Sequence, residues 1–217
     1  TRRPQGPEDT RAAPSKSRLV RAPLFWAYAL CATFSIGTFF IFITGAPLVA
    51  QSDFGISTAE LGFYIGSITA GFMLGSFLSG RLAERMAPIS LMLVGRLVPC
   101  AGLSFGLFAL ATGPASVLLV FGSTICVGLG NGLTLPSCNA AAVSIEPRLA
   151  GTAAGLNGAL VVFGGAVFTW LTGQLLPAEN AAPYLLGLMI CTAGASLLSV
   201  LWALWLIRVQ RGEEPLA

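Results

Sequence analysis

Residues 97–145, LVPCAGLSFGLFALATGPASVLLVFGSTICVGLGNGLTLPSCNAAAVSI, contain no charged side chain. A helix that crosses a bilayer needs about 20 predominantly apolar residues, so this stretch holds one whole span and most of another, broken at Ala111-Thr112-Gly113-Pro114. The pattern extends in both directions. Uncharged runs cover 24–51, 61–80, 149–178 and 180–207, and nearly all charge lies between them. Six spans follow, at about 24–46, 59–79, 89–110, 116–140, 151–176 and 184–207, an all-α integral membrane fold.

Composition leads to the same class. The chain is 55% hydrophobic and 10% charged, where a soluble domain carries roughly 25% charged residues. The 26 glycines lie largely inside the apolar runs, where small residues let membrane helices approach closely, so they read as packing positions. Two small-residue ladders mark the second span, Gly62-Gly66-Ala70 and Gly71-Gly75-Ser79, and predict tight packing on two neighbours. The fifth span repeats the theme with Gly151, Gly155 and Ala159. In the fourth, Pro136 has no N–H to offer the carbonyl of Gly132, which predicts a kink or hinge there.

The basic residues set the orientation. Arg2, Arg3, Arg11, Lys16, Arg18 and Arg21 precede the first span, Arg81 and Arg85 follow the second, Arg148 follows the fourth, and Arg208 and Arg211 follow the sixth. The loops on the opposite side hold Asp53 and Glu179 but no Lys or Arg, so both termini are expected in the cytoplasm. The net charge of +3 comes from the chain ends and builds no basic face for nucleic acid; weak attraction to anionic lipid headgroups suits it better. Residues 1–23 are polar, basic and rich in proline, and read as a disordered cytoplasmic linker cut in its middle; residues 208–217 read as a short cytoplasmic tail.

Chemistry is restricted by what the sequence lacks. It has no histidine, which argues against haem ligation, His-bearing zinc sites and Ser-His hydrolysis. Cys31, Cys100, Cys126, Cys138 and Cys191 lie within spans without a C-x-x-C pair and read as small buried residues. No phosphate-binding glycine loop occurs, so nucleotide hydrolysis is not expected, and with these absences together no metal, cofactor or catalytic residue is expected. The carboxylates Asp53, Glu60, Glu84, Glu146 and Glu179 fall at loops or span ends, leaving no acid at mid-membrane. Arg96 lies inside the third span. Its long side chain is expected to snorkel to the cytoplasmic interface or pair with Glu84, with a role in ligand binding as the other reading.

Between the second and third spans stands Gly80-Arg81-Leu82-Ala83-Glu84-Arg85-Met86-Ala87. It resembles the G-x-L-a-D-R-x-G-R-[RK] signature of the major facilitator superfamily, with Glu84 in place of Asp and without the second Gly and the basic pair. Four further segments resemble the Bcr/CflA-type drug-resistance (multidrug efflux) branch, in its C-terminal half. They are Phe25-Trp26-Ala27-Tyr28-Ala29-Leu30, Phe42-Ile43-Thr44-Gly45-Ala46-Pro47, the Gly-rich fourth span and Ala150-Gly151-Thr152-Ala153-Ala154-Gly155.

The resemblance implies six helices forming one half of a twelve-span exporter of the bacterial inner membrane. Such an exporter moves small or amphipathic compounds outward against protons by alternating access. The other partner is then a missing N-terminal six-helix half, which in such exporters usually carries the proton-coupling acid, or a second copy. Gly80, Glu84 and Arg85 would form a conformational latch, with a short solvated turn as the alternative. Family topology puts the first, second, fourth and fifth spans around the cavity. Ser35, Thr38, Phe39 and Phe42 on one face of the first, Asn131 and Thr134 on the fourth, and Asn157 on the fifth are the candidate lining residues. Ordinary packing is the competing role for the Phe residues, and interhelical hydrogen bonding for the Asn residues. Two rival functions stand beside the exporter half: a self-contained six-span transporter or channel working as a dimer, and a truncated, non-transporting membrane remnant or scaffold.

Overall fold

The computed structural model describes residues 16–113 and 116–212. After a short helix, α1 (Lys16–Arg21), come six long ones: α2 (Pro23–Ser52), α3 (Thr58–Leu82), α4 (Pro88–Thr112), α5 (Val117–Ser144), α6 (Ala150–Leu175) and α7 (Ala181–Gly212). A single 3-10 turn, Pro147–Leu149, leads into α6. At ~1.5 Å per residue, even the 25-residue α3 and α4 exceed the ~30 Å hydrocarbon core. All six are long and apolar enough to cross a membrane.

Local chemistry explains several ends. Pro23 and Pro88 open α2 and α4, where a missing N–H leaves no bond unmade. Ser57 and Glu60 form a capping box on α3: the Ser57 hydroxyl accepts from the Glu60 N–H at 3.3 Å, and the Glu60 carboxylate accepts from the Ser57 N–H at 2.8 Å. Gly55, at φ +62°, makes the turn before that cap. Asp53, at the far end of α2, accepts from the Ala182 N–H at 2.7 Å and so caps α7 from across the bundle.

Of the stretch read as an unstructured linker, residues 1–15 lie outside the described residues, but Lys16–Arg21 is helical. Leu19 is buried in the core at that end, and the Trp26 indole N–H donates to the Val20 carbonyl at 2.7 Å, which fixes the turn into α2. Within the break at 111–115, Pro114 and Ala115 lie outside the described residues, as do 213–217 of the tail. The helix α7 reaches Gly212, past Arg208 and Arg211, because nothing in Ile207–Gly212 breaks a helix and cations suit its C-terminal end.

The helices form three tiers. Two central helices, α2 and α5, pack on each other; α4 and α7 cover them from behind and touch one another. In front, α3 lies chiefly against α5 and α6 chiefly against α2, leaving a groove with α2 and α5 as its floor and α3 and α6 as its walls. Glycines set the close crossings. A Cβ at Gly75 would strike the Leu129 carbonyl, one at Gly128 the Ile68 carbonyl, and one at Gly132 the Phe72 carbonyl, so α3 and α5 meet backbone to backbone. Only one of the two expected ladders on α3 does this work within the chain: Gly62 and Gly66 have nothing within 4 Å, because their face turns away from α5. Gly151 and Gly155 on α6 are equally open. At the end away from most basic residues, Phe121 holds the core, stacked on Tyr64 at 4.8 Å and edge-on to Phe42 at 6.1 Å.

Candidate functional site

The most polar point of the interior is Arg96. Instead of reaching the interface or Glu84, it is 1% exposed and points from α4 into the contact of α2 with α5. Its Nε donates to Thr134 Oγ1 at 2.9 Å, one Nη to Ser35 Oγ at 2.7 Å and the other to Asn131 Oδ1 at 2.9 Å. The reason is local. Gly95 has no side chain where Thr134 Oγ1 sits, so α4 closes on α5 and brings Arg96 within reach of three acceptors. Glu84, by contrast, is exposed on the α3–α4 turn.

The three acceptors are anchored in turn. Asn131 Nδ2 donates to the Ser35 carbonyl at 3.1 Å, and the Ser35 hydroxyl donates to the Cys31 carbonyl at 2.6 Å while sharing a 2.9 Å bond with Ser196 of α7. The knot thus ties α2, α4, α5 and α7. All three acceptors are neutral, so no carboxylate in the knot balances the guanidinium, which is held by charge-assisted bonds that a region of low dielectric strengthens.

This knot revises the expected lining. Ser35, Thr38 and Thr134 face the interior of the bundle: Ser35 and Thr134 hold Arg96, and Thr38 bonds Thr192 of α7 at 2.9 Å. Phe42 is core, packed on Phe121. Because α2 is covered from behind by α7 and in front by α6, its polar face is satisfied by neighbouring helices and not by solvent.

Phe39, Asn131 and Asn157 do reach the groove. One recess of about 220 Å³ lies between α2, α3 and α5 and is walled by Phe39, Ile68, Thr69, Phe72 and Asn131. A second, of about 350 Å³, lies between α2, α5 and α6 and is walled by Ala32, Asn139, Asn157 and Val161. Ile36 and Leu135 border both, so the recesses are neighbours along one groove. Ile36, Thr69, Leu135 and Asn139 were not singled out from sequence; Asn139, a carboxamide beside Cys138 on the Gly-rich helix, carried the one legible signal.

Asn131 belongs to both systems: its amide takes the Arg96 bond on one side and borders the first recess on the other. The groove is therefore mainly apolar with a few carboxamide and hydroxyl groups, backed at one point by a buried positive charge. At the end of the bundle that carries the α3–α4 turn, Gly80 borders a wider cleft of about 670 Å³ together with Tyr28, Pro136 and Arg211. Glu84 and Arg85 are exposed beside it, and the Arg81 guanidinium lies 4.7 Å from the Phe77 ring centre. The helix runs through Pro136 without interruption, and Gly132 serves as a contact with α3.

A family model described as Major Facilitator Superfamily matches residues 1–169. No curated protein matches the chain. Among solved structures, the chain is similar to the POT family transporter PepTSo, at 21% identity and a TM-score of 0.66, covering 90% of this chain and 38% of that one. It is also similar to a bacterial homolog to the human lysosomal transporter Spinster, in an inward-facing and unoccupied conformation. That likeness has 17% identity and a TM-score of 0.53, covering 93% of this chain and 50% of the other. At these identities the likeness is one of fold, and the chain spans half or less of the length of these two relatives.

Proposed function

The chain belongs to the Major Facilitator Superfamily, and from that premise we propose that it forms one six-helix half of a secondary transporter that exports small amphipathic compounds in exchange for protons. The observation that carries this reading is the groove: two floor helices and two walls leave one face open, and that face has an apolar lining interrupted by amides and a hydroxyl. Such a lining suits ligands with an apolar body and few polar groups. The ladders Gly62-Gly66 and Gly151-Gly155 leave backbone uncovered on the two walls, ready for close approach by a second six-helix unit.

In this reading the unit's partner is the missing N-terminal half or a second copy, and it supplies the proton-coupling acid. Gly80, Glu84 and Arg85 latch one conformation, with Glu84 and Arg85 free at the surface to engage the partner. Gly132, closed on the Phe72 carbonyl of α3, and Pro136, within an unbroken α5, move with the rest of the unit. The basic ends of the helices face the cytoplasm of a bacterium, with the protein in its inner membrane.

The test is flux. The protein, extracted from native membranes and placed in liposomes, is loaded with a fluorescent amphiphile, and a proton gradient is imposed. Efflux that stops when the gradient is collapsed supports the reading; absence of flux under every gradient sinks it.

A further inference from the structure

The second recess carries an unpaired group. Asn157 is 7% exposed, and its Nδ2 donates to Asn139 Oδ1 at 2.9 Å across the contact of α6 with α5. Its own Oδ1 is buried and has no hydrogen-bond partner among the described residues. Buried polar atoms are nearly always satisfied, so an orphan lining a recess of about 350 Å³ points to something that enters it.

A carboxamide offers one oxygen and one NH2, and two carboxamides joined by a single bond leave one oxygen and one NH2 over. Exchanging O and N in both side chains exchanges the two residues' roles but again leaves one oxygen and one NH2 free, so the recess presents one acceptor and one donor either way. The surrounding wall is Ala32, Ile36, Leu135, Val143, Ala154 and Val161, with no ionisable side chain bordering the recess. A charged group placed there would lose its hydration with nothing to replace it. A neutral group with N–H beside C=O would meet both free groups at once. The volume corresponds to about twelve waters at ~30 Å³ each, room for a substituted ring.

We propose that Asn139 and Asn157 form a subsite for the amide, lactam or urea group of a neutral ligand, with Asn157 accepting its N–H and Asn139 donating to its carbonyl. This rests on the transport reading for the source of the ligand, and it can be tested by binding alone. The protein as expressed, in lipid nanodiscs, is titrated with two fluorescent probes, N-(1-naphthyl)butyramide and its N-methyl derivative, which differ in one amide N–H.

The wild type should bind the N–H probe about tenfold more tightly, the effect of one buried hydrogen bond. Asn157→Leu should lower that affinity to the level of the N-methyl probe, and Asn139→Ala, at an exposed position, should weaken both probes. Equal affinity of the wild type for the two probes overturns the proposal without any variant. So does a preference that survives both substitutions, or an Asn157→Leu variant that changes the assembly mass and neither affinity, which would make the pair a contact between six-helix units. A probe preference without proton-driven flux supports the subsite while defeating the transport reading.

Discussion

Arg96 and Asn131 make opposite contributions that a double-mutant cycle separates. Removing Asn131 Oδ1 by Asn131→Leu leaves a buried guanidinium with two of its three acceptors, and a hydrogen bond to a charged group contributes about 1.5–3 kcal/mol. Arg96→Met removes the charge as well. Ser35 keeps its bonds to Cys31 and Ser196, so the orphans are Asn131 Oδ1 and Thr134 Oγ1, a loss of about 1–3 kcal/mol each. Against it stands relief of the desolvation penalty of a buried ion, itself several kcal/mol. Arg96→Met should therefore fall within about 1 kcal/mol of wild type, while Asn131→Leu costs about 2 kcal/mol.

For a chain of this size 1 kcal/mol moves the midpoint by about 2–4 °C, so Asn131→Leu should lower it by ~4–8 °C. The double variant should sit close to Arg96→Met alone. Cys31 and Cys138 are buried beside the knot, so unfolding can be followed with a thiol-reactive fluorogenic dye in detergent, after the exposed Cys191 is replaced by Ser. Equal, additive losses from the two single variants would refute the reasoning, since the charge would then not be the liability that Asn131 offsets.

Four further outcomes follow from particular contacts. Gly75→Ala and Gly128→Ala should each cost about 1–3 kcal/mol in the same thermal assay, because the added methyl meets backbone that cannot move aside, whereas Gly62→Ala should stay within ~0.5 kcal/mol in the six-helix unit separated from any partner. Phe121→Ala should cost about 3–5 kcal/mol through the cavity left between Tyr64 and Phe42. Asp53→Ala should cost about 1 kcal/mol and raise amide hydrogen exchange at Ala182, whose N–H it bonds; unchanged exchange there would remove Asp53 as the cap of α7. If Glu84 and Arg85 act as a latch, replacing both with Gln should slow substrate flux about fivefold or more with probe affinity unchanged; normal flux would leave them a solvated turn.

The spans were legible because their signal is one-dimensional: charge-free length is visible without knowing what faces what. The lining of the groove was not, and α2 shows why. Apolar nearly all round, it is covered on more than one side, so its periodicity gives no contrast between the face toward α7 and the face toward the groove. Ser35, Thr38 and Phe42 do share a side, as spacing required, but it is the interior side; Ile36 and Phe39, roughly a quarter-turn away at ~100° per residue, border the groove. Arg96 was misread for a related reason. Its depth could be counted along the chain, but the acceptors that hold it come from two other helices, brought close by Gly95 and Gly130.

That knot bears on how the proposed transport cycle moves. Arg96 ties α2, α4 and α5, and through Ser35 it reaches α7, so sliding any of these helices would strip bonds from a buried charge. On the front, the α3–α5 crossing is backbone to backbone at Gly75, Gly128 and Gly132, and bending at Gly132 would have to break it. Both features oppose deformation inside the six-helix unit. Alternating access is then less costly as rocking of this unit against its partner than as flexing at Gly132 and Pro136. Asn131, sharing the Arg96 bond and the first recess, is where a ligand would meet that rigid frame.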